Sequence, residues 1–230
     1  MIDKRCATIE AALVDVEDGA TVMIGGFGTA GLPNELIDGL IAQGARNLTI
    51  VNNNAGNGDT GLAALLAKRR VRKIICSFPR HADSHHFDAL YRRGEIELEL
   101  VPQGNLAERI RAAGAGIGGF FTPTGYGTQL AEGKETRVID GRMYVFETPI
   151  HADVALIKAE RGDRWGNLTY RMTARNFGMD RRWPRRRRWP ACTILSNSAA
   201  STPRPSSHRA SSCSGSFRST AWRPVPAASS

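Results

Sequence analysis

The sequence predicts an α/β fold with a mostly parallel open sheet flanked by helices and an additional antiparallel portion. In the first half, short β-branched runs alternate with longer stretches of helical character, which is typical of a parallel sheet. In the second half, short strands follow one another directly. Asp140-Gly141 lies between two of them and is a hairpin signal, so an antiparallel portion is expected beside the parallel one.

The first half predicts four strands, and a helix follows each of them. The strands are residues 21–24, 48–51, 73–77 and 96–101, and the helices are residues 33–43, 61–69, 84–92 and 105–113. The second half predicts three further strands, residues 137–140, 143–147 and 154–158. In a parallel sheet, the loops after the strands meet at the carboxyl edge, where ligands collect. Residues 25–33, 52–58 and 102–105 form three chemically unusual loops of this kind, and we expect them to lie together.

The charge of the chain divides it into two parts. The formal net charge is +9, but ten arginines and a single acid, Asp180, fall within residues 179–230, so residues 1–178 are neutral. We therefore predict a domain at residues 1–178 and an Arg/Ser/Pro-rich, disordered tail at residues 179–230. A basic protein with an acidic partner is not indicated by the body.

The neutral body fits one globular domain of ordinary size. No apolar run reaches the roughly 20 residues that a membrane span needs, and the first ten residues lack the apolar core of a secretory signal. A cytoplasmic protein without membrane partners is expected. The four cysteines show no metal-binding spacing, so unlinked thiols are expected rather than a disulfide or metal framework.

The glycine-rich loop after the first strand is the most informative local feature. It leads into a helix at Pro33 and exposes backbone amides near a helix N-terminus, which suits a phosphate or a developing oxyanion. Gly26, Gly28 and Gly31 also satisfy G-x-G-x-x-G, but the acid that a dinucleotide site requires after the second strand is missing. A tight turn that only permits close helix packing is the structural alternative.

Five separated segments make the sequence recognisable; they are residues 18–33, 53–56, 102–109, 121–128 and 162–168. In this order they resemble the family I coenzyme A transferases, in the subunit called A or α. The resemblance is continuous to Gly178. It implies the α-subunit fold of that family, which is NagB/RpiA/CoA transferase-like.

The resemblance also implies a reaction. CoA moves from succinyl-CoA to a 3-oxo acid through an acyl anhydride and a glutamyl-CoA thioester, and 3-oxoadipate is the acceptor that fits best, with acetoacetate as the alternative. The family's glutamate lies in a Ser-Glu-Asn-Gly element of the B subunit. No Glu-Asn-Gly occurs in this chain, so no catalytic residue is expected here, and the chain is expected to be inactive without the B subunit in a heterodimer or heterotetramer.

Site residues follow from the same resemblance. The segment assigned to CoA binding matches Gly25, Gly26, Phe27, Gly28, Thr29, Ala30 and Gly31. Asn54 and Gln103 match positions whose neutral amides point at the reacting carboxylate, and loop capping is the alternative role for both. No permanently bound cofactor is implied, because the coenzyme A thioester is a substrate.

Other polar clusters favour structural roles. His81, His85 and His86 do not have the spacing of a tetrahedral metal set, so no metal is expected, and Ser84 is interpreted as a helix cap. The basic residues 68–73 end a helix, where cations suit the dipole, and a contact with CoA phosphates is a secondary interpretation.

The tail allows two further interpretations. Arginines flanked by Trp-Pro pairs would suit a nucleic-acid arm. Alternatively, the family's reading frame is lost after Gly178, because back-translation in one shifted frame restores a family-like C-terminus; this hypothesis is favoured, and no nucleic-acid partner is expected. For the body, a non-catalytic module that binds a nucleotide or an acidic ligand is the competing function.

Overall fold

The computed structural model describes residues 6–171. The predicted domain boundary at 178/179, the tail and its reading-frame hypothesis lie outside the described residues and stay predictions. The first half contains α1 (Ile9–Leu13), β1 (Thr21–Ile24), α2 (Asn34–Gln43), β2 (Leu48–Val51), α3 (Leu62–Ala67), β3 (Val71–Cys76), α4 (His85–Arg92), β4 (Glu97–Leu100) and α5 (Gln103–Ala115). The second half contains β5 (Phe120–Thr122), β6 (Thr136–Ile139), β7 (Arg142–Glu147), β8 (Val154–Leu156), β9 (Arg161–Gly162) and β10 (Leu168–Thr169).

The main sheet is parallel and has the strand order β4-β3-β2-β1-β8. All four residues of β2 are buried, because a central strand of a parallel sheet is covered on both faces and is therefore apolar throughout. By contrast β4 is an edge strand in which glutamates alternate with leucines. The predicted parallel sheet is confirmed.

Two apolar clusters cover the two faces of this sheet. Successive residues of a strand point to opposite faces, so Val22 and Ile24 join one cluster with leucines of α2 and α3, whereas Met23 joins the other with Leu106 and Ile110 of α5. Burial of these side chains is the main stabilising term of the fold, at about 25 cal/mol per Å² of apolar surface. Helices α2, α3 and α4 thus lie on one face and α5 on the other.

The antiparallel portion is a three-stranded sheet with the order β5-β7-β6. Its hairpin turns at Asp140 and Gly141, which have φ values of 49° and 73°. A two-residue turn with both residues at positive φ matches the twist of the flanking strands, as the Asp-Gly pair predicts. The hairpin is confirmed.

The last predicted strand belongs to the parallel sheet. The sequence predicts a strand at residues 154–158 without assigning its partner, and β8 pairs parallel to β1, with Met23 opposite Ala155. The chain therefore returns to the parallel sheet after β7. Sequence periodicity alone does not identify the partner of a short apolar run.

Helix α5 begins two residues earlier than predicted. Pro102 precedes the first residue, Gln103, and its carbonyl accepts the amide of Leu106 at 2.8 Å. Because proline has a fixed φ and no amide to satisfy, the helix can start directly after it. Gln103 is consequently held by a helix and not by a flexible loop.

Candidate functional site

The glycine loop (residues 25–33), the asparagine loop (residues 52–58) and the start of α5 all lie at the carboxyl edge of the sheet, as predicted. The Asn52 side-chain amide donates to the Ile24 carbonyl at 2.6 Å, which ties the end of β1 to the loop after β2. Gln103 Nε2 donates to Asn53 Oδ1 at 3.0 Å, which ties that loop to α5. Three predicted loops are thus joined by side-chain amides.

The glycine loop is a tight hairpin, and it uses some of its own amides. Phe27 and Ala30 exchange backbone hydrogen bonds of 2.9 and 3.0 Å, and the Gly25 amide donates to Leu156 in β8 at 2.9 Å. Within the segment 25–31, the amides of Gly26, Gly28, Thr29 and Gly31 have no protein acceptor among residues 6–171. Of these residues, Gly26 is buried, whereas Gly28, Thr29 and Gly31 are at least partly exposed, where an anionic ligand could approach.

A side chain is excluded at Gly26 by the loop's own geometry. Its φ is +119°, and a Cβ there would lie 3.2 Å from the backbone of Leu32. Gly28 has a φ of +62° and open space around it. The first glycine thus closes the turn, whereas the second leaves room at the surface where a ligand would approach.

Asn54 occupies the loop-capping role that the sequence left open as an alternative. Only 1% of it is exposed, its Oδ1 accepts the Gly56 amide at 2.8 Å, and its Nδ2 lies 3.4 Å from the Gly28 carbonyl. Its own backbone amide donates to Asn52 Oδ1 at 2.9 Å. Asn54 therefore fixes the asparagine loop against the glycine loop.

Asn53, which sequence reasoning did not single out, links the loops after β2, β3 and β4, whereas Asn54 does not. The Oδ1 of Asn53 accepts Gln103 Nε2 and also Ser77 Oγ, the latter at 2.6 Å. Ser77 was missed as well, although it follows β3 as Asn53 follows β2, and that shared place after a strand was the available signal. We call Asn53, Asn54 and Gln103 the amide edge.

Ser84 connects two loops instead of capping α4. Its hydroxyl forms no bond to the amides of the helix; it accepts the His81 amide at 2.9 Å and donates to the Gly56 carbonyl at 3.0 Å. Ser84 is 3% exposed, so this bond satisfies a buried hydroxyl. Ser84 thus lies at the predicted N-cap position of α4, but its side chain makes no capping bond and is instead bonded to the asparagine loop at Gly56.

Two of the three histidines share a carboxylate. His85 Nε2 and His86 Nε2 lie 3.1 and 2.8 Å from Asp59 Oδ1, and these hydrogen bonds, led by the one from His86, lower the pKa of Asp59. The three potential ligand atoms lie within 4.8 Å of one another. His85 and His86 form the first turn of α4, and Asp59 lies beside it. The positive end of the helix dipole stabilises the Asp59 carboxylate there and disfavours a metal cation.

The basic run, residues 68–73, includes the first residues of β3 and therefore lies at the amino edge of the sheet, opposite the amide edge. Arg69 pairs with Glu95 at 3.1 Å, Arg72 with Glu97 at 2.9 Å and Lys73 with a neighbouring glutamate of β4 at 2.6 Å. These cations neutralise the acidic edge strand. The geometry does not support the secondary interpretation of a contact with CoA phosphates at the site.

A group of buried and half-buried charges fastens α5 to β4 and to the small sheet. Arg109 donates to Glu99 at 2.9 Å and to the Thr148 carbonyl at 2.6 Å, and its Nε is 3.8 Å from Glu147. Glu147 is 3% exposed and accepts Lys134 at 2.9 Å and Asn105 at 3.2 Å. We call the charged residues of this group the charged flank; they are Lys73, Glu99, Arg109, Lys134 and Glu147.

The thiol nearest the site is inert. Burial raises the pKa of Cys76, the last residue of β3, to about 12, so the thiol stays protonated at neutral pH. The amide edge itself consists of neutral donors and contains no carboxylate. It can bind and polarise an anionic group, but it offers no nucleophile.

The chain is similar in sequence to a protein family and to several known subunits. A family model described as Coenzyme A transferase matches residues 6–187. The A subunit of 3-oxoadipate CoA-transferase from Pseudomonas putida is 71% identical over 178 residues, which cover 77% of this chain and 77% of that protein. The A subunit of succinyl-CoA:3-ketoacid coenzyme A transferase from Xanthomonas campestris pv. campestris (strain B100) is 53% identical over 175 residues, or 76% of this chain and 72% of the relative.

A similar fold occurs in a solved structure with a different chemistry. A cysteine-to-serine variant of the decarboxylase AibA/AibB superposes with a TM-score of 0.63 and 26% identity, over 73% of this chain and 67% of that one. The architecture is therefore shared by proteins of more than one activity, and the reaction has to be argued from the site and from the more similar relatives.

Proposed function

The chain belongs to the coenzyme A transferase family, and on that premise we propose that it is the A subunit of a heteromeric enzyme that moves CoA from succinyl-CoA to a 3-oxo acid. The preferred acceptor in this proposal is 3-oxoadipate. The observation that carries it is the 71% identity to a subunit named for that reaction. A non-catalytic ligand-binding module becomes the weaker interpretation.

The reaction divides between two chains. A glutamate of the B subunit first attacks the thioester carbonyl of succinyl-CoA, and the CoA thiolate leaves as an acyl anhydride forms. The thiolate then attacks the glutamyl carbonyl and succinate leaves, so that CoA is held on the glutamate. The 3-oxo acid takes the CoA by the reverse sequence. This chain contains no Glu-Asn-Gly, and its amide edge carries no nucleophile, which fits the division.

The residues of this chain would bind and polarise. Each acyl transfer builds negative charge on a carbonyl oxygen, and preorganised neutral donors stabilise that charge without neutralising the attacking carboxylate. Asn53 and Gln103 supply such donors at the carboxyl edge, and Asn54 keeps the glycine loop beside them. In that loop, the unbonded amides of the residues that are at least partly exposed are available to the phosphate or acyl oxygens of CoA.

Acetoacetate is the second acceptor, because the 53% identical relative is named for 3-ketoacids. The deciding experiment purifies the full chain together with a B subunit. It then measures CoA transfer from succinyl-CoA to 3-oxoadipate and to acetoacetate side by side. We expect a higher kcat/KM for 3-oxoadipate. Transfer to neither acid, by a complex that assembles, would remove the proposal.

Assembly and location belong to the same proposal. A B subunit is the expected partner, in a heterodimer or heterotetramer, and sedimentation of the purified complex measures the stoichiometry. Among residues 6–171, no helix combines the length and apolar character that crossing a bilayer requires. We place the complex in the cytoplasm, and cell fractionation tests that location.

A further inference from the structure

Three neighbouring strands each supply one member of a short hydrogen-bonded chain at the carboxyl edge. Asn53 follows β2, Ser77 follows β3, and Gln103 follows β4. Asn53 Oδ1 accepts the Ser77 hydroxyl at 2.6 Å and Gln103 Nε2 at 3.0 Å. The Ser77 hydroxyl also lies 3.2 Å from the Asn53 carbonyl, but its single hydrogen serves the nearer oxygen.

The backbone sets the position of Ser77 before its side chain is considered. The pairing of β2 with β3 continues beyond both strands, where Asn54 and Phe78 form a parallel bridge. The amides of Ser77 and Phe78 both approach the Asn53 carbonyl, at 3.2 and 3.0 Å. The hydroxyl is thus delivered by sheet register and does not depend on a free loop.

These contacts decide which end of the Asn53 amide points away from Ser77 and Gln103. Asn53 is 3% exposed, and with Oδ1 held by two donors its Nδ2 is directed away from them, with no acceptor within residues 6–171. A reversed amide would present its oxygen instead, and that oxygen would repel a carboxylate or an oxyanion. Orientation therefore determines whether Asn53 attracts or repels the reacting group.

We propose that Ser77 is a positioning residue for CoA transfer, which fixes the Asn53 amide so that Nδ2 donates toward the reacting oxygens. The proposal rests on the function proposed above. Ser77 itself touches no reacting atom. Its removal leaves Gln103 as a single restraint on Asn53, so the amide samples the unproductive orientation and the rate falls while the fold persists.

The test compares Ser77→Ala and Ser77→Thr with the wild type, each as the full chain in complex with a B subunit. For Ser77→Ala we expect kcat to fall about 3- to 10-fold, the equivalent of one neutral hydrogen bond, while KM for succinyl-CoA changes less than about twofold. Ser77→Thr keeps the hydroxyl and should restore most of the rate. Thr136→Ala, which removes an exposed hydroxyl from β6, is the matched control and should change neither constant.

A double-mutant cycle separates positioning from a general loss of stability. Without the Asn53 side chain the hydroxyl has no amide to orient, so Ser77→Ala added to Asn53→Ala should cost no further rate. Equal losses in both backgrounds would overturn the proposal. So would a Ser77→Ala complex with the kcat of the wild type.

A crystal structure of the Ser77→Ala complex keeps this test independent of the proposed reaction. We expect the Asn53 amide to turn and its 3.0 Å contact with Gln103 to lengthen or break. An unchanged Asn53 amide would overturn the positioning role, whether or not the wild type transfers CoA. Failure of the wild type to transfer CoA, with a turned amide in the variant, would instead count against the proposed function alone.

Discussion

The amide edge and the charged flank are both built around α5, yet they use opposite chemistry. Gln103 begins the helix as an exposed neutral donor, whereas Arg109, further along the same helix, is buried between carboxylates. In the proposed reaction, neutral donors at the amide edge suit a carboxylate nucleophile, because they carry no fixed charge that would neutralise it. The charged flank instead has a structural role, because its ion pairs attach α5 to β4 and to the small sheet.

Breaking the charged flank should cause the largest loss in the free energy of unfolding. Arg109→Ala removes the guanidinium that Glu147 and Glu99 share; because Lys134 and Lys73 still pair with them, the loss should be at most that of a fully broken buried ion pair, about 3–5 kcal/mol. Arg72→Ala breaks the exposed pair with Glu97 and should cost at most about 1 kcal/mol. Urea unfolding of both variants measures the difference. Equal losses would show that the flank contributes no more than a surface pair.

Introducing charge at the amide edge should abolish most of the activity and leave the fold intact. Gln103→Glu is isosteric, but it replaces a donor by a carboxylate beside the reacting group, and loss of one oxyanion donor costs about 100- to 1000-fold in kcat. Gln129→Glu makes the same change at an exposed position, in the 3₁₀ helix Gln129–Ala131, and should have no effect. Steady-state transfer assays measure both; a fully active Gln103→Glu complex would contradict the role of Gln103.

The amide edge also depends on a close backbone approach. At Gly56 a Cβ would lie 2.6 Å from the Ala63 amide nitrogen, and φ is +86°, so Gly56→Ala should cost about 2 kcal/mol or more. Gly58 has a similar φ of +61° but open space, and Gly58→Ala should cost about 1 kcal/mol. Thermal unfolding measures both. The transfer rate should fall with Gly56→Ala only, because Gly56 holds Asn54.

The smallest expected effect is on the pH dependence of the free energy of unfolding, through Glu99 of the charged flank. Burial raises the pKa of Glu99, but hydrogen bonds from Lys73 and Arg109 outweigh it, so its pKa lies below the ordinary value of 4.5. A carboxyl pKa that is lower in the folded than in the unfolded state stabilises the protein at pH values above the unfolded pKa. This stabilisation is lost as the pH falls through the folded pKa. Unfolding measured below pH 4.5 should therefore be less pH-dependent in Glu99→Gln than in the wild type.

The control for this prediction is Glu97→Gln, on the same strand and in an exposed pair. It should keep more of the acid sensitivity of the wild type than Glu99→Gln does. Identical pH profiles for the two variants would mean that the half-buried carboxylate is not the one that titrates with unfolding.

Much of the fold could be predicted from the sequence, because its signals are local. The alternation of runs predicted β1 and β2 at their observed bounds, and the Asp140-Gly141 pair predicted the hairpin. The signals from glycine and proline are also local, because each residue favours particular backbone conformations at its own position. The family could also be identified from its motifs, and the family comparison confirms it.

Tertiary structure alone decided which polar groups face the site. Asn53 and Asn54 are adjacent, chemically identical and both buried, yet the side chain of Asn53 bonds Gln103 and that of Asn54 lies against the glycine loop. Ser77 and β8 show the same limit, because their partners lie about 24 and 130 residues away in sequence. Local pattern sets which elements form; the register between strands distant in the chain sets which side chains meet.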